Sequence, residues 1–247
     1  MVHLPFRDRD EAGRLLGAEL AGRKLPADAV VLALPRGGVP VGLAVANMLH
    51  APLDVVVVRK VGVPWQPELA MGAIAGAGVE VLDEQLIHQL GVPREKVDAI
   101  VAREKSESAR REKLFRGGLP APDLHGKTVL LVDDGLATGS TMVAAARYVR
   151  TLHPGKLIVA VPVASTQACQ WVKSEADTCV CLATPELFGA VGEWYLDFRQ
   201  VSDAEVQALL EESRRRPEPA AEPTPRREPA SARKLEPERK PESGRKL

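Results

Sequence analysis

Two adjacent acidic residues mark the place where the sequence most strongly indicates chemistry. Asp133 and Asp134 come directly after the apolar run 129–132. Two carboxylates side by side at the end of a buried strand repel each other and lose hydration, so both ionised forms are disfavoured. Sugar hydroxyls, a divalent metal ion or another cation would offset that cost. The pair therefore indicates a ligand site rather than a purely structural role.

The turn that follows the acid pair has the composition of a phosphate site. Gly135 and Gly139 allow a tight turn, in which successive backbone N–H groups can converge on an anion. Thr138, Ser140 and Thr141 add hydroxyl donors, and a helix predicted to begin near Ser140 adds its positive end. The Walker A and dinucleotide-binding glycine motifs are absent. Acids that can bind a diol beside a phosphate site indicate a ribose 5-phosphate; an N-capping turn with exposed acids is the alternative.

Basic residues follow two other apolar runs. In 34–42, LPRGGVPVG, Arg36 and Gly37 come just before a predicted helix, an arrangement suited to a second anion. A plain turn between strand and helix is the alternative. Arg59 and Lys60 end the apolar run 53–58 and would place two cations at the edge of the same sheet. A solvated surface pair is the alternative interpretation of these two cations.

The elements that must position these residues alternate between strand-length apolar runs and helix-length amphipathic segments. This alternation predicts an α/β fold with a mainly parallel, twisted sheet flanked by helices. The strands are apolar on both faces, as expected when helices cover both sides. The predicted strands are 30–35, 53–58, 128–133, 157–163 and 178–183, and the predicted helices are 8–22, 38–50, 140–152, 166–176 and 203–212. Ligands of such sheets bind beyond the carboxyl ends of the strands.

Residues 60–127 interrupt this rhythm. An excursion of that length beside a sheet is typical of a lid, a hood or an interface. Its charged part has a narrow apolar stripe of Val97, Ile100 and Val101, which predicts a helix on the surface or against a partner subunit. A homodimer is therefore expected.

The last 35 residues have a different composition. Residues 213–247 contain seven prolines and almost no large aliphatic side chains, which predicts a disordered tail after one domain at 1–212. The chain has 33 basic and 33 acidic residues, of which 11 and 6 lie in 213–247, so the body has a net charge of −5. An acidic body without a helix-turn-helix pattern argues against nucleic acid as a partner.

Cysteine usage and hydropathy limit the other classes. Cys169, Cys179 and Cys181 show neither a CxxC pair nor a zinc-ligand spacing and are interpreted as small core residues. The N-terminal segment lacks the apolar stretch of a secretory signal. Since no run approaches the roughly 20 apolar residues of a membrane helix, we expect a cytoplasmic protein.

The stretch 129–141 resembles the phosphoribosyl diphosphate (PRPP) signature of the type I phosphoribosyltransferases. The matching residues are Val129 to Val132, Asp133, Asp134, Thr138, Gly139 and Thr141. The resemblance implies that Asp133 and Asp134 hold the ribose 2- and 3-hydroxyls and are the candidate protein ligands of Mg²⁺, the implied cofactor. It also implies that the 5-phosphate is wrapped by Ala137, Thr138, Gly139, Ser140 and Thr141.

The other basic segments are similar to further parts of that family. Arg36 and Gly37 lie in a segment that resembles the pyrophosphate loop, which contains a non-proline cis peptide. Arg59 and Lys60 resemble the start of the mobile catalytic loop in adenine-type members. The resemblance therefore implies that Arg36, with Arg59 or Lys60, stabilises charge on the leaving pyrophosphate.

Residues 187–198, LFGAVGEWYLDF, resemble a base-binding segment of the hypoxanthine-type enzymes. The resemblance implies that Phe188 stacks on the base and that Asp197 lies nearby; a local aromatic core is the alternative. Those enzymes also have a purine-reading lysine after the preceding strand, and 161–166, VPVAST, has none. Hypoxanthine or guanine is therefore not the expected base.

The resemblance covers 28–200 and extends to stand-alone bacterial phosphoribosyltransferase-like proteins whose acceptor it does not assign. It implies phosphoribosyl transfer from PRPP to a nitrogenous base or related small molecule, with release of pyrophosphate. One alternative is a PRPP-sensing regulator that binds nucleic acid without turnover. Another is a hydrolase of PRPP or a related sugar phosphate, for which no water-activating residue can be named.

Overall fold

The computed structural model describes residues 3–76 and 78–215. The predicted disordered tail lies outside these residues, apart from 213–215. Residues 213 and 214 continue the last helix, which therefore ends two residues later than predicted. Within the described part of the chain, no helix is both long enough and apolar enough to cross a membrane.

The helices and strands alternate along the main body, as the sequence predicts. The helices are α1 (Arg9–Ala21), α2 (Gly38–Leu49), α3 (Glu84–Gln89), α4 (Arg94–Arg116), α5 (Ser140–Thr151), α6 (Thr166–Lys173) and α7 (Asp203–Arg214), with a 3-10 turn at Val191–Trp194. The strands are β1 (Val30–Ala33), β2 (Leu53–Val55), β3 (Val58–Val63), β4 (Gln66–Ala75), β5 (Val79–Leu82), β6 (Thr128–Val132), β7 (Lys156–Val163) and β8 (Thr178–Ala183).

The main sheet has five parallel strands in the order β2-β1-β6-β7-β8. β1 and β6 are buried along their whole length, because helices cover both faces of the sheet. Ala33 pairs with Val132, so β1 and β6 end side by side. The register therefore brings the segment after Ala33 next to the acid pair that follows Val132.

One predicted strand is wrong in its extent. The apolar run 53–58 is divided: β2 ends at Val55, and β3 begins at Val58 in a separate antiparallel sheet of order β3-β4-β5. Arg59 and Lys60 accordingly lie inside β3 rather than at the end of the second strand of the main sheet. We call residues 58–116, which comprise this small sheet, α3 and α4, the hood.

The apolar stripe of α4 packs within the hood. Val97 and Val101 are buried against the small sheet, in a cluster that also contains Val61, Met71 and Ile74. The stripe therefore already has a partner within the chain. It no longer supports the expectation of a homodimer, which stays an untested prediction.

Arg116, at the end of α4, anchors the hood to the main sheet. Its Nε lies 3.0 Å from Oδ2 of Asp54 in β2, and its Nη2 donates to the carbonyl of Val55 at 2.9 Å. Its Nη1 lies 3.0 Å from Oε2 of Glu112. Burial raises the pKa of Glu112, and the Arg116 charge opposes that rise. Two carboxylates withdrawn from water therefore depend on this one guanidinium.

Arg116→Met should lower the free energy of unfolding by about 3–5 kcal/mol, because the substitution leaves buried carboxylates without their cation. Urea denaturation at neutral pH measures the loss. Arg110→Met is the matched control, since Arg110 pairs with Glu107 on the exposed face of the same helix, and we expect it to cost less than about 1 kcal/mol. Similar small losses in both variants would show that Arg116 is not an anchor.

Candidate active site

The acid pair lies at the carboxyl edge of the main sheet, directly after β6. Nε of Arg9 is 2.8 Å from Oδ2 of Asp134, and the two side chains are only 10% and 13% exposed. Oδ1 of Asp133 accepts a hydrogen bond from the backbone N–H of Asp134 at 2.8 Å. Burial and the neighbouring Asp134 carboxylate raise the pKa of Asp133 well above its usual value. Burial also raises the pKa of Asp134, against the influence of Arg9.

Arg9 is a site residue that the sequence analysis missed. Its Nη1 donates to the carbonyl of Arg199 at 2.8 Å, and its guanidinium carbon lies 3.9 Å from the centroid of the Phe198 ring. The Tyr195 hydroxyl donates to the backbone carbonyl of Asp134, so the 187–198 segment also reaches the acid pair. One signal was present: Arg9 opens α1, where the helix dipole favours acids. A cation at that position indicates a partner outside its own helix.

The predicted phosphate turn forms the entrance to α5. Gly139 is the N-cap, with φ of +82°, and it contributes no side-chain cap to the helix. Oγ1 of Thr138 and Oγ of Ser140 lie 3.1 Å apart, so the two hydroxyls share one side of the turn. The carbonyl of Ala137 accepts a hydrogen bond from Ser165 at 2.7 Å, while Thr141 is exposed in the first helical turn. The turn therefore presents hydroxyls and first-turn N–H groups.

The second predicted anion turn joins β1 to α2 and packs directly against the acid pair. The Pro35–Arg36 peptide is cis, as the family resemblance implies. A Cβ atom on Gly37 would lie 2.0 Å from Oδ2 of Asp134, and one on Gly38 would lie 3.0 Å from Oδ1 of Asp133. Only residues without a side chain fit between this turn and the two carboxylates.

The side chain of Arg36 extends from this turn toward α7. Its Nη1 lies 3.6 Å from Oδ1 of Asp203, and both side chains are partly exposed. The pair is weak in this arrangement, because exposed ion pairs are screened by water. Arg36 can therefore exchange Asp203 for an anionic ligand at little cost.

The two helices that begin at the site both have a glycine as their N-cap. Gly37 is the N-cap of α2 and Gly139 that of α5, so neither helix has an N-cap side chain that accepts from its first N–H groups. By contrast, side chains cap α1, α3, α6 and α7. Some of the first N–H groups are already engaged, because those of Gly38 and Val39 donate to the carbonyls of Leu34 and Arg36, and that of Ser140 lies 3.4 Å from Oγ1 of Thr138. The dipoles of both helices nevertheless favour an anion at these two starts. The half-buried acid pair thus lies between two helix starts whose dipoles favour anions.

The hood faces the start of α5 across a groove of about 380 Å³. Arg59 and Lys60 line one side of the groove, and Ser140 and Thr141 line the other. Nη2 of Arg59 is held 2.8 Å from Oε2 of the buried Glu104. The structure therefore does bring these two predicted cations near the phosphate turn, although from a strand of the hood.

The structure does not bring Phe188 and Asp197 to this groove. Phe188 packs beside Trp194, with ring centroids 6.0 Å apart, in a cluster around Phe6 and Tyr195. Asp197 is exposed, and its Oδ1 accepts from the backbone N–H of Arg199 at 3.2 Å. Among the described residues that line the groove, neither occurs, and the acid pair and the Arg36–Gly37 turn lie outside that lining as well. Base binding by Phe188 and Asp197 stays a prediction. The position of Phe188 matches the alternative interpretation, a local aromatic core.

Comparisons with known proteins place the chain in one family. The family described as "Phosphoribosyl transferase domain" matches residues 18–199. A curated relative from Mycobacterium tuberculosis, named "Putative phosphoribosyl transferase", is 45% identical over 213 residues, which are 85% of this chain and 47% of the relative. The chain thus spans about half the length of the curated relatives it matches. The crystal structure of TT1426 from Thermus thermophilus is similar, with 42% identity, a TM-score of 0.76, and coverage of 85% of this chain and 99% of that chain.

Asp133→Asn should raise the free energy of unfolding at neutral pH by about 0.5–2 kcal/mol, the usual range for a single stabilising change. Because the pKa of Asp133 is raised in the folded protein, the folded chain binds a proton more tightly than the unfolded chain. The stability of the wild type therefore falls as pH rises above the unfolded value, about 4. The variant lacks this loss.

Urea denaturation across about pH 3.5 to 7.5 tests this expectation. The extra stability of the variant should shrink toward the acidic end, where Asp133 of the wild type becomes protonated in both the folded and the unfolded state. Asp28→Asn, at an exposed aspartate, is the control and should change stability little at any pH. A variant that is less stable than the wild type at neutral pH would contradict the raised pKa.

Proposed function

The chain belongs to the phosphoribosyltransferase family, and from that premise we propose that it transfers the phosphoribosyl group of PRPP to a nitrogenous small molecule and releases pyrophosphate. Its five-stranded parallel sheet flanked by helices is the type I fold of this family. The observation that carries the proposal is the half-buried acid pair between the two glycine turns that lead into α2 and α5. PRPP has the matching pattern, a diol between a phosphate and a diphosphate.

The acid pair is proposed to accept hydrogen bonds from the ribose hydroxyls. Asp133 and Asp134 are withdrawn from water, and hydroxyl donors would restore part of the solvation that burial removes. Arg9 donates to the carboxylate of Asp134, and the Tyr195 hydroxyl donates to its backbone carbonyl. These contacts fix the orientation of the carboxylate before the sugar arrives, so ordering it costs less on binding.

The two turns are proposed to divide the charged ends of PRPP between them. The 5-phosphate would lie on the N–H groups and hydroxyls at the start of α5, at Thr138 to Thr141. The diphosphate would lie against the Arg36–Gly37 turn, where Arg36 can leave Asp203. Arg59 and Lys60 are proposed to add positive charge from the hood side of the groove. In this arrangement the leaving group is surrounded by donors that need little rearrangement.

The donor set at the acid pair suits Mg²⁺ in part. Carboxylate oxygens are ligands that Mg²⁺ prefers, and it usually takes only one or two from the protein beside substrate oxygens. Oδ2 of Asp134 is already engaged by Arg9, which leaves Asp133 as the better protein ligand. Mg²⁺ would neutralise the diphosphate and so make it a better leaving group.

In the proposed reaction, a nitrogen of the acceptor forms a bond to C1 of the ribose while the bond from C1 to the diphosphate oxygen breaks. Pyrophosphate leaves with that electron pair, and the acceptor nitrogen gives up its proton, where it carries one, to solvent. Positive charge that develops on the ribose is stabilised by the acid pair beneath it. The hood faces the start of α5 across the groove and would limit the access of water.

PRPP with Mg²⁺ should bind the full chain in isothermal calorimetry, and an Asp133→Asn/Asp134→Asn double variant should bind at least about 100-fold more weakly. The reason is that each lost charged acceptor of a buried hydrogen bond costs about 1.5–3 kcal/mol. Asp28→Asn/Asp123→Asn, at two aspartates away from the groove, is the matched control and should bind as the wild type does. Equal affinity of wild type and site variant would overturn the role of the acid pair.

Pyrophosphate release in the presence of a panel of nitrogenous bases then separates the candidate functions. Release that depends on one base establishes transfer and identifies the acceptor. Release without any base would favour the hydrolase, because water would be the acceptor. Binding of PRPP without release from any base would instead favour the regulator that senses PRPP, and it would contradict transfer to the bases tested.

Gly37→Ala should lower the rate of pyrophosphate release by about 10- to 100-fold, the effect of misplacing a reacting group by about 1 Å. The backbone of Gly37 is right-handed helical, φ −61° and ψ −32°, so alanine is allowed there. Its Cβ, however, would lie 2.0 Å from Oδ2 of Asp134, and the turn or the carboxylate must move.

Gly22→Ala is the matched control for this substitution. Gly22 also has a right-handed helical backbone, and its Cβ would meet nothing closer than 3.5 Å. We expect an unchanged rate in this control. An unchanged rate in Gly37→Ala as well would mean that the close approach of the two turns does not matter for turnover.

A further inference from the structure

The three cysteines of the chain meet at one point, away from the acid pair. Cys179 and Cys181 are two residues apart in β8, so their side chains lie on the same face of the sheet. Cys169 lies over that face from α6. The Sγ atoms are 3.3 Å (Cys169–Cys181), 3.7 Å (Cys179–Cys181) and 3.8 Å (Cys169–Cys179) apart. These are all the cysteines of the 247 residues.

The dimensions of this sulfur triangle suit a metal ion. A point equidistant from the three Sγ atoms lies about 2.1 Å from each, just under the roughly 2.3 Å of a zinc–sulfur bond. An ion placed about 1 Å out of the sulfur plane would therefore make three bonds of normal length. A tetrahedral zinc with bonds of that length holds its sulfurs about 3.8 Å apart, close to the observed separations.

The surroundings leave one coordination position for a ligand from solution. Cys169 is buried, whereas Cys179 and Cys181 are half-buried at the edge strand β8 of the main sheet, so an ion can enter from solvent. In the described part of the chain, no histidine, aspartate or glutamate joins the three thiols as a further ligand. Three soft ligands without a hard one favour Zn²⁺ or Cu⁺ over Mg²⁺ or Ca²⁺.

We propose that Cys169, Cys179 and Cys181 form a three-thiolate site for one thiophilic metal ion, Zn²⁺ or Cu⁺. Each thiol gives its proton to solvent as its sulfur binds, so affinity increases with pH. The interpretation of the cysteines as small core residues explains their burial but not their mutual contact. A spacing of ten residues between Cys169 and Cys179 hides this contact in the sequence, because the fold alone brings α6 onto β8.

A metal ion at this site would hold α6 against β8 behind the phosphate turn. Ala168, the neighbour of Cys169, packs against Gly139, and a Cβ atom added to Gly139 would lie 3.2 Å from Cβ of Ala168. The N-cap of α6, Ser165, donates from its hydroxyl to the carbonyl of Ala137 at 2.7 Å. The ion would therefore stabilise the wall on which the turn rests, without touching a bound substrate.

Metal titrations of the full, reduced chain test the proposal, after a thiol assay has counted three free thiols. Co²⁺, as the spectroscopic substitute for Zn²⁺, should give intense visible bands and a sulfur-to-metal charge-transfer band that saturate at one ion per chain. Zn²⁺ should then abolish these bands. In a separate arm, Cu⁺ is added against a competing Cu⁺ chelator. One equivalent bound with thiolate bands in either arm supports the site; no thiolate bands in both arms overturn it.

Variants assign the signal to the three sulfurs. Cys181→Ser should weaken binding at least about tenfold, since a thiolate ligand is lost, and Cys169→Ser and Cys179→Ser should do the same. Ser174→Ala, at the end of α6, is the control and should bind as the wild type does. An added equivalent of the bound metal should raise the melting temperature of wild type and control but not of the serine variants. Unchanged affinity in all three variants would overturn the proposal even though the chain folds.

Discussion

The partial burial of two neighbouring carboxylates at the end of β6 is the constraint on which the rest of the structure depends. Burial and mutual repulsion raise the pKa of Asp133, and one guanidinium, that of Arg9, offsets the charge of Asp134. Single buried charges are strongly destabilising unless they are paired. The surroundings of the pair follow from this constraint. α1 delivers Arg9, Tyr195 holds the Asp134 carbonyl, and the β1–α2 turn carries glycines where any side chain would strike a carboxylate.

Much of this fold can be predicted because its signals are local. β6 and β8 are apolar runs of strand length between turn residues, and α5 follows a glycine turn with an amphipathic pattern; its predicted bounds, 140–152, differ from the observed Ser140–Thr151 by one residue. The acid pair and its phosphate turn are contiguous in sequence, so their proximity needs no knowledge of the tertiary fold. Arg36 and Gly37 join them because neighbouring parallel strands end at the same edge.

The features that escape prediction depend on contacts between distant parts of the chain. The run 53–60 has no glycine or asparagine to mark where β2 ends, so only the pairing of Val58 with Ala75 reveals that a new sheet has begun. Arg9 pairs with Asp134, which lies 125 residues later in the sequence, and the charged residues at the start of α1 do not indicate which residue Arg9 will contact. The cysteines show the same limit, since neither β8 nor α6 carries a metal-binding spacing alone.

A body with a net charge of −5 is an unexpected receptor for a polyanion such as PRPP, the substrate proposed above, but the local arrangement of charges makes such binding consistent with the net charge. Charges more than about 8 Å apart through solvent are screened at physiological salt, so the distant acids contribute little at the site. The dipoles of α2 and α5 and the hydroxyls of the phosphate turn act at contact distance, on groups that the fold already holds in place. The acids lie where we expect the hydroxyls of the ligand, and the helix dipoles lie where we expect its phosphates. Such a site can select a ligand by the pattern of charge along it rather than by its total charge.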